Sequence, residues 1–236
     1  MSDVGDNILA ENARWSFGGE TATSFDRHIN RSIPRYAEGQ DLVVSIADHF
    51  LDEGSRVYEL GCATGSLLEK LARANQDRSV RITGVDIEQE MVNVATQRTN
   101  DFERVDVVQS DVVTLQMQSC DLIVAYYTVQ FVRPAVRQIL IDRIYQSLNW
   151  GGAFILFEKV RAPDARFQDL MTSLYQDYKL DQGFSEKEIV NKSRSLKGQL
   201  EPFSTRGNLD LMTRAGFVDI MTVFKHVCFE GFLAIK

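Results

Sequence analysis

Three carboxylates and two glycines are the first side chains to weigh. In the stretch V-Y-E-L-G-C-A-T-G, residues 57–65, an apolar run reaches Glu59 and then turns through Gly61 and Gly65. Such glycines let a backbone come close to a ligand, and a helix starting behind them offers unpaired N–H groups. The Glu59 carboxylate could accept from a ligand ammonium. Asp86 closes the next apolar run, the place from which an acidic side chain grips ribose hydroxyls. Asp111 follows Ser110 at the end of a third run, within reach of an adenine amine. A dinucleotide loop would need G-x-G-x-x-G, and the third, pyrophosphate-cradling glycine is missing here. Three acids around a glycine turn suit a cationic, phosphate-free nucleoside better than a pyrophosphate.

The elements that must position these residues can be read from periodicity. Residues 1–23 look irregular, 24–33 predict a short helix ending before Pro34, and 40–50 an amphipathic helix. Strands at 56–60, 80–86, 105–111, 120–127 and 152–158 alternate with helices at 65–75, 88–99 and 134–148. That alternation predicts right-handed βαβ units and a parallel sheet. Helices within 163–196 and over 204–215 follow. Segments 217–225 and 226–236 are joined by almost nothing, so they can only form an antiparallel hairpin. The expected fold is α/β and Rossmann-like, five parallel strands plus a C-terminal antiparallel hairpin with helices on both faces. We read 1–236 as one domain, with 1–50 as an N-terminal helical lid and 163–215 as a helical insertion.

Composition excludes several classes. The net charge of −7 argues against a phosphate-backbone binder, which needs a basic face. No apolar run approaches the roughly 20 residues of a membrane span, and the N-terminus has no secretory pattern. Cys62, Cys120 and Cys228 lack metal-ligand spacing, so no metal is expected and a reduced, cytoplasmic setting is the simplest reading.

The glycine turn, Asp86, Ser110-Asp111 and the terminal hairpin together resemble the class I S-adenosylmethionine (SAM) methyltransferase fold. A resemblance spanning nearly the whole chain is carried by W-S-F (15–17), R-S-I-P-R-Y (31–36), Y-E-L-G-C (58–62), Y-T-V-Q-F (127–131), E-K (158–159), G-F-S-E (183–186) and R-A-G-F (214–217). These are similar to carboxy-S-adenosylmethionine synthase, which carboxylates SAM with a prephenate-derived carbon unit. The resemblance implies SAM contacts at Tyr36, Gly61, Cys62, Ala63, Asp86, Ile87, Asp111 and Val112, and a homodimer. Two positions depart from that family: Tyr126 stands where it has an asparagine, and an ungapped alignment puts Ser193 where it has the arginine that grips the new carboxylate, with Arg194 recovering the match only through an insertion compensated by a deletion a few residues later.

Without that arginine clamp, the sequence leads first to a reaction of SAM alone. Its α-amine would attack its own γ-carbon, giving azetidine-2-carboxylate and methylthioadenosine, as in azetidine-2-carboxylate synthases. Methyl transfer to a small acceptor and carboxylation of SAM are the alternatives. A sulfonium is held by π-faces, and Trp15, Phe17, Tyr36, Tyr126, Tyr127, Phe131, Tyr175 and Tyr178 supply them. Trp15 is expected to close over the ligand. Tyr126, Gln130 and Tyr175 are the expected catalytic residues, orienting or deprotonating the amine. His28, His49 and His226 are isolated and read as surface or satisfied core residues.

Overall fold

The computed structural model describes residues 1–6, 8–18 and 21–236. Among them, a short ribbon pairs β1 (Ser2–Asp3) with β2 (Leu9–Ala10), and helices α1 (Thr21–Ser32) and α2 (Tyr36–Ala47) follow. Then come β3 (Arg56–Leu60), α3 (Ser66–Ala74), β4 (Arg81–Asp86), α4 (Gln89–Arg98), β5 (Val105–Gln109), β6 (Cys120–Tyr126), α5 (Pro134–Ser147) and β7 (Leu148–Lys159). Helices α6 (Ala165–Asp181), α7 (Glu186–Ser195) and α8 (Thr205–Ala215) lead to the hairpin of β8 (Asp219–His226) and β9 (Phe229–Ile235).

The large sheet runs β5-β4-β3-β6-β7-β9-β8, parallel through β7 and antiparallel at β9 and β8. The chain winds outward from β3 to β5 and then crosses back to β6. That reversal opens a crevice beyond the carboxyl ends of β3 and β6, where ligands of such sheets bind.

Strand residues alternate between two cores, as the pleat requires. Val57, Leu122, Val124, Ile155 and Phe157 face α2 and α3, meeting Val43, Leu67, Leu68 and Leu71. Tyr58, Ile123, Ala125, Phe154 and Leu156 face α5 and α8, meeting Leu140, Ile141, Ile144, Leu211 and Met212. Both faces of the central strands are therefore apolar, the signature of a buried parallel sheet. Gly84 lets α3 close onto β4: a Cβ there would fall 2.3 Å from Leu68 Cδ1.

The helices start where their caps are. Pro134 opens α5, Asp164 accepts from Phe167 N (3.1 Å), and Ser185 forms a capping box with Glu188.

The α/β class, parallel sheet and terminal hairpin are those expected from the sequence. The helix expected over 40–50 instead starts at Tyr36, because Pro34 and a left-handed Arg35 (φ 56°) complete the turn four residues earlier. The first helix likewise begins at Thr21 rather than residue 24. Residues 1–23 are less irregular than expected, since they hold the β1–β2 ribbon, whose two-residue strands are too short to leave a periodic pattern. That expectation also touched residues 7, 19 and 20, which lie outside the described residues.

Lys236 ties the end of β9 to the end of α5. Its ammonium donates to the carbonyls of Tyr145 (2.8 Å), Leu148 (2.7 Å) and, more loosely, Gln146 (3.4 Å). A cation at a helix C-terminus meets both the unpaired carbonyls and the negative end of the dipole. Lys236→Met should therefore lower the unfolding free energy by about 1–2 kcal/mol. Urea titration checks this; an unmoved midpoint would show that the three contacts add nothing.

Candidate active site

The turn after β3 is built on the end of β4. Gly61 N and Cys62 N both donate to the Val85 carbonyl, at 2.7 and 3.0 Å. Gly61 sits at φ 76°, and a Cβ there would fall 2.3 Å from Thr128 Oγ1, so only glycine fits. Asp86 braces the same turn from below, its carboxylate accepting from Ala63 N (2.9 Å) and Glu88 N (3.0 Å). Burial raises the Asp86 pKa despite those donors. The Cys62 thiol is buried and held well above its ordinary value, first by burial and then by Glu59, which makes it a wall atom rather than a nucleophile.

Above this turn lies a cavity of about 1110 Å³. Single-ligand sites commonly measure about 300–1,000 Å³. Trp15, Tyr36, Glu59, Gly61, Cys62, Ala63, Asp86, Ile87, Asp111 and Val112 all line it. Gly65 does not. It stands at the start of α3 with φ 78°, and a Cβ there would meet Ala95 at 2.9 Å, so it serves the packing of α3 on α4. Asp111 lies on the exposed rim and accepts from Val113 N at 2.8 Å.

Glu59 is the feature that asks for a cation. It is buried, its Oε2 has no hydrogen-bond partner, and burial followed by the nearby Asp86 pushes its pKa well above the carboxylate range. A ligand ammonium or sulfonium beside it would supply the missing charge. The residues present thus fit a cationic nucleoside such as SAM, with Asp86 and Glu59 as the acids that could hold it. Among the described residues no cluster of His, Cys, Asp and Glu could hold a metal ion, and no helix is long and apolar enough to cross a membrane.

Of the aromatic residues named from the sequence, all but Tyr178 line the cavity; Tyr178 stacks on Tyr175 from outside, centroids 6.5 Å apart. Trp15 and Phe17 line the wall nearest α7 and Phe131. Trp15 N and Ala13 N donate to the Ser195 and Arg194 carbonyls of α7, and the Phe17 ring packs edge-on against Phe131 at 4.9 Å.

The three expected catalytic residues reach the cavity with their polar atoms already engaged. Tyr126 Oη donates to the Tyr36 carbonyl (2.6 Å), and Tyr175 Oη donates to that of Ser32 (2.9 Å). Gln130 donates to the Tyr127 carbonyl (3.1 Å) and accepts from Lys159 N (2.9 Å). Ser193 and Arg194 both line the cavity from α7 and are exposed. His28 is a satisfied core residue: buried between Asp6 and Ser32, its pKa falls to about 3, chiefly by burial, so the ring is neutral.

Sequence reading missed the other end of the cavity. Lys159, at the end of β7, is joined there by Lys179 of α6 and Lys192 of α7. Lysines in a helical stretch ordinarily signal a solvated face, so only the strand-end position of Lys159 could have pointed inward.

Comparison with known proteins agrees with this geometry. Residues 57–152 match a family described as a methyltransferase domain. The chain is 37% identical to the carboxy-S-adenosyl-L-methionine synthase of Campylobacter lari over 94% of its own length and 95% of that protein's. It is 34% identical to the synthase of Staphylococcus epidermidis (94% and 97%) and 35% identical to that of Wolinella succinogenes (98% and 98%). Among solved structures it superposes on the SAM-dependent methyltransferase SibL with a TM-score of 0.64 at 17% identity, covering 91% of this chain and 58% of SibL. It also superposes on a phosphoethanolamine N-methyltransferase of Haemonchus contortus bound to SAM, with a TM-score of 0.60 at 15% identity, covering 83% and 52%.

Asp86→Ala should weaken S-adenosylhomocysteine about 5–150-fold, the equivalent of roughly 1–3 kcal/mol of lost charge-assisted hydrogen bonding. Calorimetry measures it, and unchanged affinity would move the nucleoside site elsewhere.

Proposed function

Since the chain belongs to the carboxy-S-adenosyl-L-methionine synthase family, we propose that it carboxylates the sulfonium methyl of SAM, drawing the carbon from an anionic second substrate. It is a SAM-dependent enzyme with the methyltransferase fold. The observation that carries the finer reading is the extent of the cavity. Asp86 stands at the end of β4 and Lys159 at the end of β7, three strand spacings or about 14 Å apart along the carboxyl edge. One cavity spans both. SAM can occupy the acidic side while a second molecule takes the side beyond Tyr126 and Tyr127.

This reading displaces the cyclisation that led from the sequence. The relatives reported above are named for carboxylation. The hydroxyl hydrogens of Tyr126 and Tyr175 are given to backbone carbonyls, and the Gln130 amide bridges the Tyr127 carbonyl and Lys159 N, so all three groups are already engaged in holding the backbone. In our reading these residues are walls that shape the cavity and exclude water. With prephenate as the second substrate, a C–H bond of the sulfonium methyl breaks and a C–C bond to the transferred carboxyl carbon forms. The ring that loses this carboxyl and its hydroxyl becomes aromatic, so the products are carboxy-SAM, phenylpyruvate and water. The resemblance to that family favours a homodimer, and the three free, widely spaced cysteines favour a reduced, cytoplasmic setting.

Incubation with SAM and prephenate should yield carboxy-SAM, identified by mass, in equal amount to phenylpyruvate. SAM alone should leave no product above the enzyme-free control. Methylthioadenosine from SAM alone, with no carboxy-SAM in the complete mixture, would restore cyclisation.

A further inference from the structure

Lys159, Lys179 and Lys192 are unusual in this chain because each is largely buried and none has a carboxylate within ion-pair distance among the described residues. Elsewhere the protein pairs its charges closely. Asp6, for example, takes Arg27 (2.9 Å), Arg31 (2.6 Å) and His28 (3.0 Å). The three ammonium groups lie over aromatic rings instead. Lys159 and Lys179 stand over Tyr175, at 4.4 and 5.1 Å from its centroid; Lys179 is 5.6 Å from the Phe184 centroid, and Lys192 lies over Trp15. They also feel one another: Lys159 lowers the pKa of Lys179, which in turn lowers that of Lys192.

No neighbouring group supplies the missing negative charge. His28 is neutral, the Cys228 thiol is pushed up by burial, and the Tyr175 hydroxyl is bound to Ser32. Glu158 adjoins Lys159 in sequence, but strand alternation sends it away from the cavity, toward Arg137 and the backbone N–H groups of Val129 and Gln130. A further donor waits at the same wall. Trp15 is 8% exposed, lines the cavity, and its Nε1–H is buried with no acceptor.

Unpaired buried cations that repel one another are costly to fold around. An anion entering the cavity removes that cost at all three sites together. We propose that Lys159, Lys179, Lys192 and the Trp15 indole N–H form a subsite for a dicarboxylate on an apolar skeleton, the second substrate of the reaction assigned above. The inference rests on that assignment for its place in catalysis, though not for its chemistry. Three cations exceed what one carboxylate neutralises. The surrounding walls, Ile33, Met171, Tyr175 and Phe229, suit a hydrocarbon ring rather than a hydrated phosphate.

The test loads the protein with S-adenosylhomocysteine and titrates prephenate by calorimetry. Lys179→Met and Lys192→Met should each weaken prephenate at least tenfold while changing S-adenosylhomocysteine affinity less than twofold. Both should raise the melting temperature of the ligand-free protein, because each removes an unpaired buried charge, and this rise distinguishes lost recognition from failed folding. Unchanged prephenate affinity in both variants, or no binding to the wild type, overturns the subsite. Lysine-dependent binding without any carboxy-SAM supports the subsite and overturns the reaction. Carboxy-SAM formation with the same KM for prephenate in both variants overturns the subsite and leaves the reaction standing.

Discussion

Two hydrogen bonds from Gly61 N and Cys62 N to the Val85 carbonyl hold the turn after β3 against the end of β4. Much of the site depends on that junction. It fixes the height of Glu59 relative to Asp86, and Asp86 returns the favour by accepting from Ala63 N. The junction exists only because β3 and β4 run parallel in register, Leu60 beside Val85. A parallel neighbour on the other side, β6, brings Thr128 over Gly61 and closes the space in which any other residue would place a Cβ. The glycine is thus required by the sheet's reversal as much as by the ligand.

Charge then sorts along the carboxyl edge of the sheet. The β4 and β3 ends carry buried acids, the β6 end carries Tyr126 and Tyr127, and the β7 end carries Lys159. Each charged end is poorly compensated by protein, since Glu59 lacks a partner on one oxygen and the lysines lack carboxylates. Burial shifts both kinds of group toward neutrality, acids upward and ammonium groups downward, with Lys179 reaching about 8. Ligands of opposite polarity would reverse those shifts at the two ends. The aromatic strip between them separates the two fields without contributing charge, as its phenols are held far above their ordinary pKa by burial.

The sheet and the acidic end of the cavity were legible in the sequence because their signals are local. A strand period, a glycine turn and an acid at each strand end all fall within a few residues of one another. Gly65 shows the limit of such reading: it belongs to the same turn, yet tertiary packing assigns it to Ala95 rather than to the ligand. The cationic end was not legible for a related reason. Lys179 and Lys192 come from helices α6 and α7, and only the packing of α6 through Tyr175 on Phe229 and of α7 on the β1–β2 ribbon turns them inward. Tyr126 lines the cavity, but its hydroxyl partner, the Tyr36 carbonyl, lies 90 residues away in sequence.

That long-range contact explains how a tyrosine fits where relatives of this kind are expected to hold a smaller amide. Gly39, one turn into α2, leaves room for the phenol, since a Cβ there would fall 2.3 Å from Tyr126 Oη. The ring then packs edge-on against Tyr36 at 5.0 Å and Tyr127 at 4.8 Å, so the substitution fastens α2 onto the end of β6. Immediately after it, Tyr127 adopts a left-handed conformation (φ 62°) that a tyrosine holds only under constraint. The constraint is visible: Tyr127 N donates to Phe157 O, and Tyr127 O accepts from Gln130. Gln130 in turn accepts from Lys159 N, so one amide joins the strained end of β6 to the end of β7. The residues expected to act on the SAM amine thereby form the frame that sets Lys159 at the far side of the cavity.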